Sequence, residues 1–291
     1  MAKSYEELRF TDDFMFGKVM EDKELCRAVL ECLLEQPVGE LQDVQAERQF
    51  RYTLDGKPIR LDVYTRDQNT VYDAEMQNRN HKSREDMELP KRSRFYQSVM
   101  DTDFLQKGNS YRRLPEGKVL FICTFDPFEK NQSKNTFTKS CEEIPGLKLE
   151  DGTTCMFYNC TCITYGLSTE RKAFYEYVVT GRRKEGLTSR IEEAVSQARR
   201  NEKWRAEYMK ELLHEDDIRE EARTEGLREG IQKGIQQGIA QGSEQGIRIF
   251  ILDKLEDGAE DEVILGKLEK LYRLSLEQAE RLLEEVKSNK A

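Results

Sequence analysis

Two acidic residues on neighbouring predicted strands are the best candidates for chemistry in this sequence. Asp62 and Glu75 lie on consecutive runs joined by a short turn, so the two side chains can approach each other. Two carboxylates about 4 Å apart repel by roughly 4 kcal/mol at an effective dielectric constant near 20. A fold therefore separates such a pair, shares a proton between them, or inserts a cation. A hard divalent ion with oxygen ligands fits, and Mg²⁺ is best suited to phosphate chemistry.

Gln77 follows Glu75 by two residues, so it lies on the same face of the predicted strand. Its amide could orient a water molecule or a phosphate, but it cannot act as a general base. The alternative interpretation is that Asp62 and Glu75 are solvated residues of an edge strand. The spacing alone leaves both interpretations open.

A basic segment follows these acidic strands, although the chain as a whole carries a net charge of −9. A protein of this charge binds nucleic acid only through a local basic patch or a metal ion. Arginine and lysine in this segment would contact a phosphate backbone, or would form a solvated helix face with local ion pairs. The basic residues are Arg79, Lys82, Arg84, Lys91, Arg92 and Arg94.

The elements that must position these residues follow from the spacing of apolar side chains. Residues 10–36 have helical periodicity, which residues 21–23 divide into two helices. Residues 43–77 alternate as in a three-stranded meander, with a turn at residues 55–58. Two further helices are predicted, one over residues 85–103 and one around residues 174–179. Two further strands are predicted over residues 119–125 and 155–165. This order predicts an α/β or α+β mixed sheet covered by helices.

Glycine recurs at every fourth residue in the carboxy-terminal third of the chain, from Gly226 to Gly246. Six glycines inside a helix cost about 6 kcal/mol relative to alanine, so packing must offset them. A repeat longer than 3.6 residues favours right-handed winding with a partner. We expect self-association or docking through this segment; the alternative is a flexible polar linker. Ser275 and Gln278 have the spacing of a capping box at the last helix.

Other features narrow the class of protein. The seven cysteines are an odd number in a chain of 291 residues, and no Cys-x-x-Cys motif occurs, so reduced thiols are expected rather than disulfides or zinc ligands. No apolar run approaches the ~20 residues that span a bilayer. The amino terminus lacks the apolar stretch of a signal peptide. We therefore expect a cytoplasmic protein.

Several segments together resemble the recombination-promoting nuclease family, also described as PD-(D/E)XK nuclease family transposases. They occur in the family's order and extend over about residues 8–180, and a glycine-repeat tail is also typical of these proteins. The matching segments are Phe10–Met20, Arg60–Tyr64, Tyr72–Gln77, Arg92–Asp101 and Val119–Phe128.

The resemblance implies a restriction-endonuclease-like core, an α/β mixed sheet flanked by helices, that cuts DNA phosphodiester bonds with Mg²⁺. It implies that Asp62 and Glu75 are metal ligands, with Asp13 as an accessory ligand. Gln77 falls where the wider superfamily often has lysine, and Glu-x-Gln is usual in this branch. Water activation is then left to the metal, which lowers the pKa of bound water.

The resemblance also implies a DNA-binding surface and a role in recombination or mobile elements. Arg94 and Tyr96 match the helix after the active-site strands and are expected to touch phosphate, alongside Arg79, Lys82, Arg84 and Arg92. A degenerate member of the same fold, binding DNA or protein without cleavage, is the alternative. A third interpretation is that the chain is an unrelated helical interaction protein.

The sequence divides into four expected parts. Residues 1–182 form the nuclease-like core, and residues 183–225 form a charged helical segment. Residues 226–249 contain the glycine repeat, and residues 250–291 form amphipathic helices. We expect a homo-oligomer assembled through these carboxy-terminal helices.

Overall fold

A computed structural model describes residues 3–50, 59–78, 88–105, 110–163 and 166–290 of the chain. Within these ranges, no helix is both long and apolar enough to span a membrane. The seven cysteines are all free. The turn predicted at residues 55–58 lies outside the described ranges.

The amino-terminal region forms two helices, α1 (Asp13–Met20) and α2 (Lys23–Leu34), after a short 3-10 helix at Tyr5–Glu7. The Asp22 carboxylate accepts a hydrogen bond from the Leu25 backbone N–H at 2.9 Å and so caps the start of α2. The predicted division of this segment into two helices is therefore confirmed.

A mixed sheet of six strands forms the centre of the first part of the chain. β1, β2 and β3 form the predicted antiparallel meander, and β4 pairs in parallel with both β3 and β6. β5 is a short edge strand, antiparallel to β6, that the sequence analysis did not predict. The strands are β1 (Asp43–Phe50), β2 (Ile59–Arg66), β3 (Thr70–Gln77), β4 (Glu116–Cys123), β5 (Lys134–Phe137) and β6 (Thr153–Asn159), and their order is β1-β2-β3-β4-β6-β5.

Helices cover both faces of the sheet. One face packs against α3 (Leu89–Phe104), in a cluster that includes Tyr96, Phe121 and Phe157. The other face contributes to a larger core with α1, α2, α4 (Thr169–Thr180) and α5 (Leu187–Ala198). A second 3-10 helix, Tyr111–Arg113, precedes β4. The predicted mixed sheet flanked by helices, followed by a helical extension, is confirmed.

The chain forms two compact units, and the first of them ends at Leu212. It extends past residue 182, where the sequence analysis ended the core, because later apolar side chains belong to the same core. Ile191 and Val195 of α5 are fully buried in it, and Trp204 and Tyr208 pack on it from the start of α6 (Glu202–Glu256).

The second unit, Leu213–Ala291, is helical. The later part of α6 packs with α7 (Asp261–Tyr272) and α8 (Leu276–Lys290) around Ile251, Leu268 and Leu283. The capping box of α8 forms as predicted: the Ser275 hydroxyl accepts from the Gln278 N–H at 3.3 Å, and the Gln278 side chain accepts from the Ser275 N–H at 3.0 Å. The glycine repeat is helical, inside α6.

Candidate active site

Asp62 and Glu75 lie side by side at adjacent positions of β2 and β3. Val63 pairs with Ala74, so Asp62 and Glu75 come next along the two strands. Glu75 Oε1 accepts a hydrogen bond from the Asp62 backbone N–H at 2.9 Å. In return, Asp62 Oδ2 accepts from the Met76 backbone N–H at 3.1 Å. Each carboxyl group is therefore fixed by the backbone of the neighbouring strand.

The backbone of β1 is distorted beside Asp62. β1 and β2 pair at Ala46–Val63 and at Arg48–Leu61, and Glu47 between these pairs has a left-handed φ of 51°. Such a φ is unfavourable for a residue with a side chain and is often found at functional sites.

Helix α1 approaches this distorted segment closely at Gly17. A Cβ atom on Gly17 would lie 3.3 Å from Ala46 Cβ and 3.6 Å from Glu47 Cγ. The same helix carries Asp13, whose negative charge helps to raise the pKa of Asp62. The structure therefore brings Asp13 into the electrostatic neighbourhood of the pair, and its role as an accessory metal ligand stays a prediction.

Burial makes the carboxyl groups of this site hard to ionise. It raises the pKa of Asp62 well above its usual range, and the charge of Glu75 raises it further. Burial and the charge of Asp73 raise the pKa of Glu75, which Arg92 opposes. A cation that joins this group would stabilise all of the ionised forms.

Asp73 is a member of this group that the sequence analysis did not assign. Its side chain is fully buried, and burial followed by the charge of Asp62 raises its pKa. No donor group among the described residues reaches its carboxyl oxygens, and a proton on either carboxyl group would join Asp73 to Glu75. Strand alternation places Asp73 on the same face as Glu75, so their two-residue spacing could have identified Asp73 as a member of the site.

Arg92 of α3 contacts Glu75 and Gln77. One terminal nitrogen, Nη2, lies 2.9 Å from Glu75 Oε2, and the other, Nη1, donates to Gln77 Oε1 at 3.1 Å. The Gln77 amide nitrogen is 3.5 Å from the same Glu75 Oε2. The predicted residues Asp62, Glu75, Gln77 and Arg92 therefore form one connected group.

Tyr96 lies one helical turn after Arg92 and is buried. Its hydroxyl accepts hydrogen bonds from Arg92 Nε at 2.9 Å and Nη2 at 2.6 Å. In this structure the hydroxyl holds the guanidinium, whereas the sequence analysis expected it to touch phosphate. Arg94 is exposed and makes no ion pair with any described residue. Arg79, Lys82 and Arg84 lie outside the described ranges.

The donor atoms suit a hard divalent ion. Among the described residues, no three histidine, cysteine, aspartate or glutamate side chains are arranged to hold a metal. Mg²⁺ does not require such a group, because it commonly uses one or two carboxylates with waters and substrate phosphates. Asp62 and Glu75 supply two carboxylates, and the unpartnered oxygens of Asp73 lie in the same group.

One of three comparisons with known proteins found a match, and that match supports the fold. No curated protein and no solved structure was found to match the chain. A family model described as PD-(D/E)XK nuclease family transposase matches residues 11–154. This range runs from α1 into β6 and includes Asp62, Glu75 and Arg92. Over residues 11–154 the chain therefore belongs to the PD-(D/E)XK nuclease family transposases.

Proposed function

We propose that this protein is a Mg²⁺-dependent DNA endonuclease that hydrolyses phosphodiester bonds and acts in recombination or on mobile elements. The observation that carries the proposal is the reciprocal fixing of Asp62 and Glu75, each by a backbone N–H of the other's strand. Pre-organised carboxylates of this kind suit a metal site because their own positions need little change on binding.

Each residue has a separate role in the proposal. Asp62 and Glu75 would hold the divalent ion, and Asp13 would add negative charge from α1. A bound Mg²⁺ would stabilise negative charge on the phosphate and lower the pKa of coordinated water. Gln77, held by Arg92, would orient water or phosphate through its amide.

DNA is the proposed substrate, and Arg92 is the basic residue nearest to the acidic group in the described ranges. Its side chain is 34 % exposed, so it can meet a phosphate at the edge of the site. Arg79, Lys82, Arg84 and Arg94 are proposed to extend this contact along the strand. The protein would act in the cytoplasm.

Self-association through the carboxy-terminal helices belongs to the same proposal. Four apolar side chains that follow glycines of the repeat are exposed along α6, and burying them against a second copy would remove apolar surface from water. These side chains are Leu227, Ile231, Ile235 and Ile239.

An inactive nuclease fold that binds DNA or protein is the second candidate. One contact favours it: Arg92 already balances the charge of Glu75. Direct measurement of cleavage separates the two candidates.

The test is cleavage of supercoiled plasmid DNA by the full-length protein in Mg²⁺ and in EDTA. We expect nicking in Mg²⁺, and we expect Asp62→Asn and Glu75→Gln to slow it by roughly 10²-fold or more. Asp217→Asn, an exposed acid of the second unit, is the matched control and should keep the wild-type rate. Equal cleavage by all four proteins would contradict the assignment of Asp62 and Glu75 to the active site. Absence of cleavage by the wild type would favour the inactive nuclease fold.

A further inference from the structure

The guanidinium of Arg92 is bound to an oxygen that a divalent ion at this site would need. Glu75 Oε1 accepts the Asp62 backbone N–H, whereas Oε2 is contacted by side chains that can move, so Oε2 is the oxygen more open to an ion. Arg92 Nη2 lies 2.9 Å from that Oε2. The other terminal nitrogen of Arg92, Nη1, donates to the side-chain oxygen Oε1 of Gln77, so the guanidinium lies across the end of β3.

Arg92 acts as the counter-ion of a strongly acidic group. The charges of Asp62, Asp73 and Glu75 affect one another, and Asp73 and Glu75 are completely buried whereas Asp62 is partly buried. Of these three, Glu75 is the one with an ion pair to a described residue, and Arg92 supplies it. A divalent ion and a guanidinium beside the same oxygen would repel each other, so the two cations exclude each other there.

The position of Arg92 allows it to leave this oxygen. Its side chain is 34 % exposed, whereas the Glu75 side chain is completely buried. Arg92 also has anchors that do not involve Glu75: the Tyr96 hydroxyl, and the rings of Tyr96 and Phe121 at 5.2 and 5.9 Å from its Cζ. A small turn of the guanidinium about its Nε contact with Tyr96 and its Nη1 contact with Gln77 would move Nη2 away from Glu75 Oε2 while α3 stays in place.

We infer that Arg92 and the divalent ion compete for Glu75 Oε2, and that Arg92 exchanges this carboxylate for a phosphate of the DNA when the ion binds. The inference rests on the proposed function and assigns a regulation to its site. Arg92 would then oppose binding of the ion in free protein and support binding of DNA in the loaded protein. Loss of the guanidinium should therefore raise the affinity for the divalent ion and lower the affinity for DNA.

The first measurement is binding of Mn²⁺ to metal-stripped, full-length protein by isothermal titration calorimetry without DNA. We expect Arg92→Gln to bind Mn²⁺ about tenfold more tightly than the wild type, because one repelling positive charge is removed. Arg92→Lys keeps the charge and should stay within about threefold of the wild type. Lys91→Gln removes an exposed charge from the same helix and should leave the affinity unchanged.

The second measurement is fluorescence anisotropy of a labelled DNA duplex in Ca²⁺, an ion chosen to bind without supporting cleavage. Arg92→Gln should bind the duplex roughly tenfold more weakly, as expected for the loss of a charged hydrogen bond to phosphate. Circular dichroism of each variant checks that it is folded, and Tyr96→Phe offers a milder change that frees the guanidinium without removing it.

The outcomes separate this inference from the proposed function. If no protein binds Mn²⁺, or if Glu75→Gln binds it as well as the wild type, the metal site itself is wrong. If the wild type binds through Glu75 but folded Arg92→Gln binds Mn²⁺ equally or more weakly, the competition is wrong and the metal site stands. Tighter Mn²⁺ binding with unchanged DNA binding would overturn the exchange onto phosphate.

Discussion

Asp73 lies two residues before Glu75 on the same face of β3, and both carboxyl groups are fully buried, yet within the described residues only Glu75 has an ion-pair partner. Burial of an ionised carboxylate without a partner is costly, so Asp73 favours its protonated form. This asymmetry leads to a prediction about stability and pH in the metal-free protein.

The pKa of Asp73 is raised in the folded protein, mainly by burial and then by the charge of Asp62. The stabilisation linked to this proton is complete below the unfolded pKa, at about pH 4, and is lost as pH rises through the folded pKa. Asp73→Asn removes the ionisation. We expect it to flatten the decline of unfolding free energy above about pH 5, by up to about 1.4 kcal/mol per pH unit.

Urea unfolding in EDTA, followed by tryptophan fluorescence, measures this slope. Trp204 is the single tryptophan and packs on the core of the first unit, so it reports on the unit that contains Asp73. Asp67→Asn is the control of opposite sign. Burial raises the pKa of Asp67, but hydrogen bonds from Asn69, Thr70 and other donors outweigh it and lower the pKa. The stabilisation linked to ionised Asp67 is therefore present above the unfolded pKa of about 4. It is lost as pH falls through the folded pKa, which is lower. A wild-type slope in Asp73→Asn would contradict the prediction.

Gln77→Lys gives a second prediction, because lysine is frequent at this position in the wider superfamily. Here Gln77 Oε1 accepts a hydrogen bond from Arg92 Nη1 at 3.1 Å. An ammonium in its place would lose this bond and repel the guanidinium. We expect plasmid nicking to slow by about tenfold or more and the melting temperature to fall.

The nicking rate and thermal unfolding of Gln77→Lys are compared with those of Gln68→Lys. Gln68 is exposed in the turn between β2 and β3, so its substitution adds the same charge away from Arg92. Faster cleavage by Gln77→Lys would show that Arg92 does not neighbour this position in the active protein.

The sequence predicted the elements whose signals are local. Asp22 begins α2 by capping the Leu25 N–H, and Ser275 with Gln278 begins α8, so short-range hydrogen bonds set these boundaries. The meander was predictable because alternation along β2 and β3 is regular. β5 was missed because its few residues, Lys134–Phe137, lack an apolar pattern and pair only with the edge of β6.

The sequence could not show that the polar face of β3 is buried. Asp73 and Glu75 alternate with Tyr72 and Ala74, which predicts one apolar and one acidic face. In the structure Thr70–Met76 is buried throughout, because α3 covers the acidic face. The contact of Arg92 with Glu75 depends on the same packing between elements separated in sequence, so spacing alone could not assign it.

The third prediction concerns assembly and uses the boundary between the compact units. A chain ending at Leu212 retains Trp204 and Tyr208 on the first core and should fold, whereas a chain ending at residue 186 loses the fully buried Ile191 and Val195. We expect size-exclusion chromatography with light scattering to give an oligomer for the full chain and a monomer for the chain ending at Leu212. An equal oligomeric state in both would exclude the second unit as the assembly element.

The fourth prediction distinguishes a helix that is merely weak from a helix that packs closely through its glycines. A Cβ atom on Gly230 or Gly234 would meet nothing within 4 Å in the single chain. The double variant Gly230→Ala/Gly234→Ala should therefore stabilise α6 by up to about 1 kcal/mol per substitution and raise its helical content.

The same double variant should weaken self-association if two backbones approach each other along the glycine repeat, because the added methyl groups hold them apart. Circular dichroism measures the first effect and sedimentation velocity measures the second. Gln237→Ala, an exposed substitution outside the glycine positions, is the control and should leave the oligomer unchanged. Higher helicity with an undiminished oligomer would mean that the second unit associates through another surface, since a close backbone contact cannot accept both new side chains without loss.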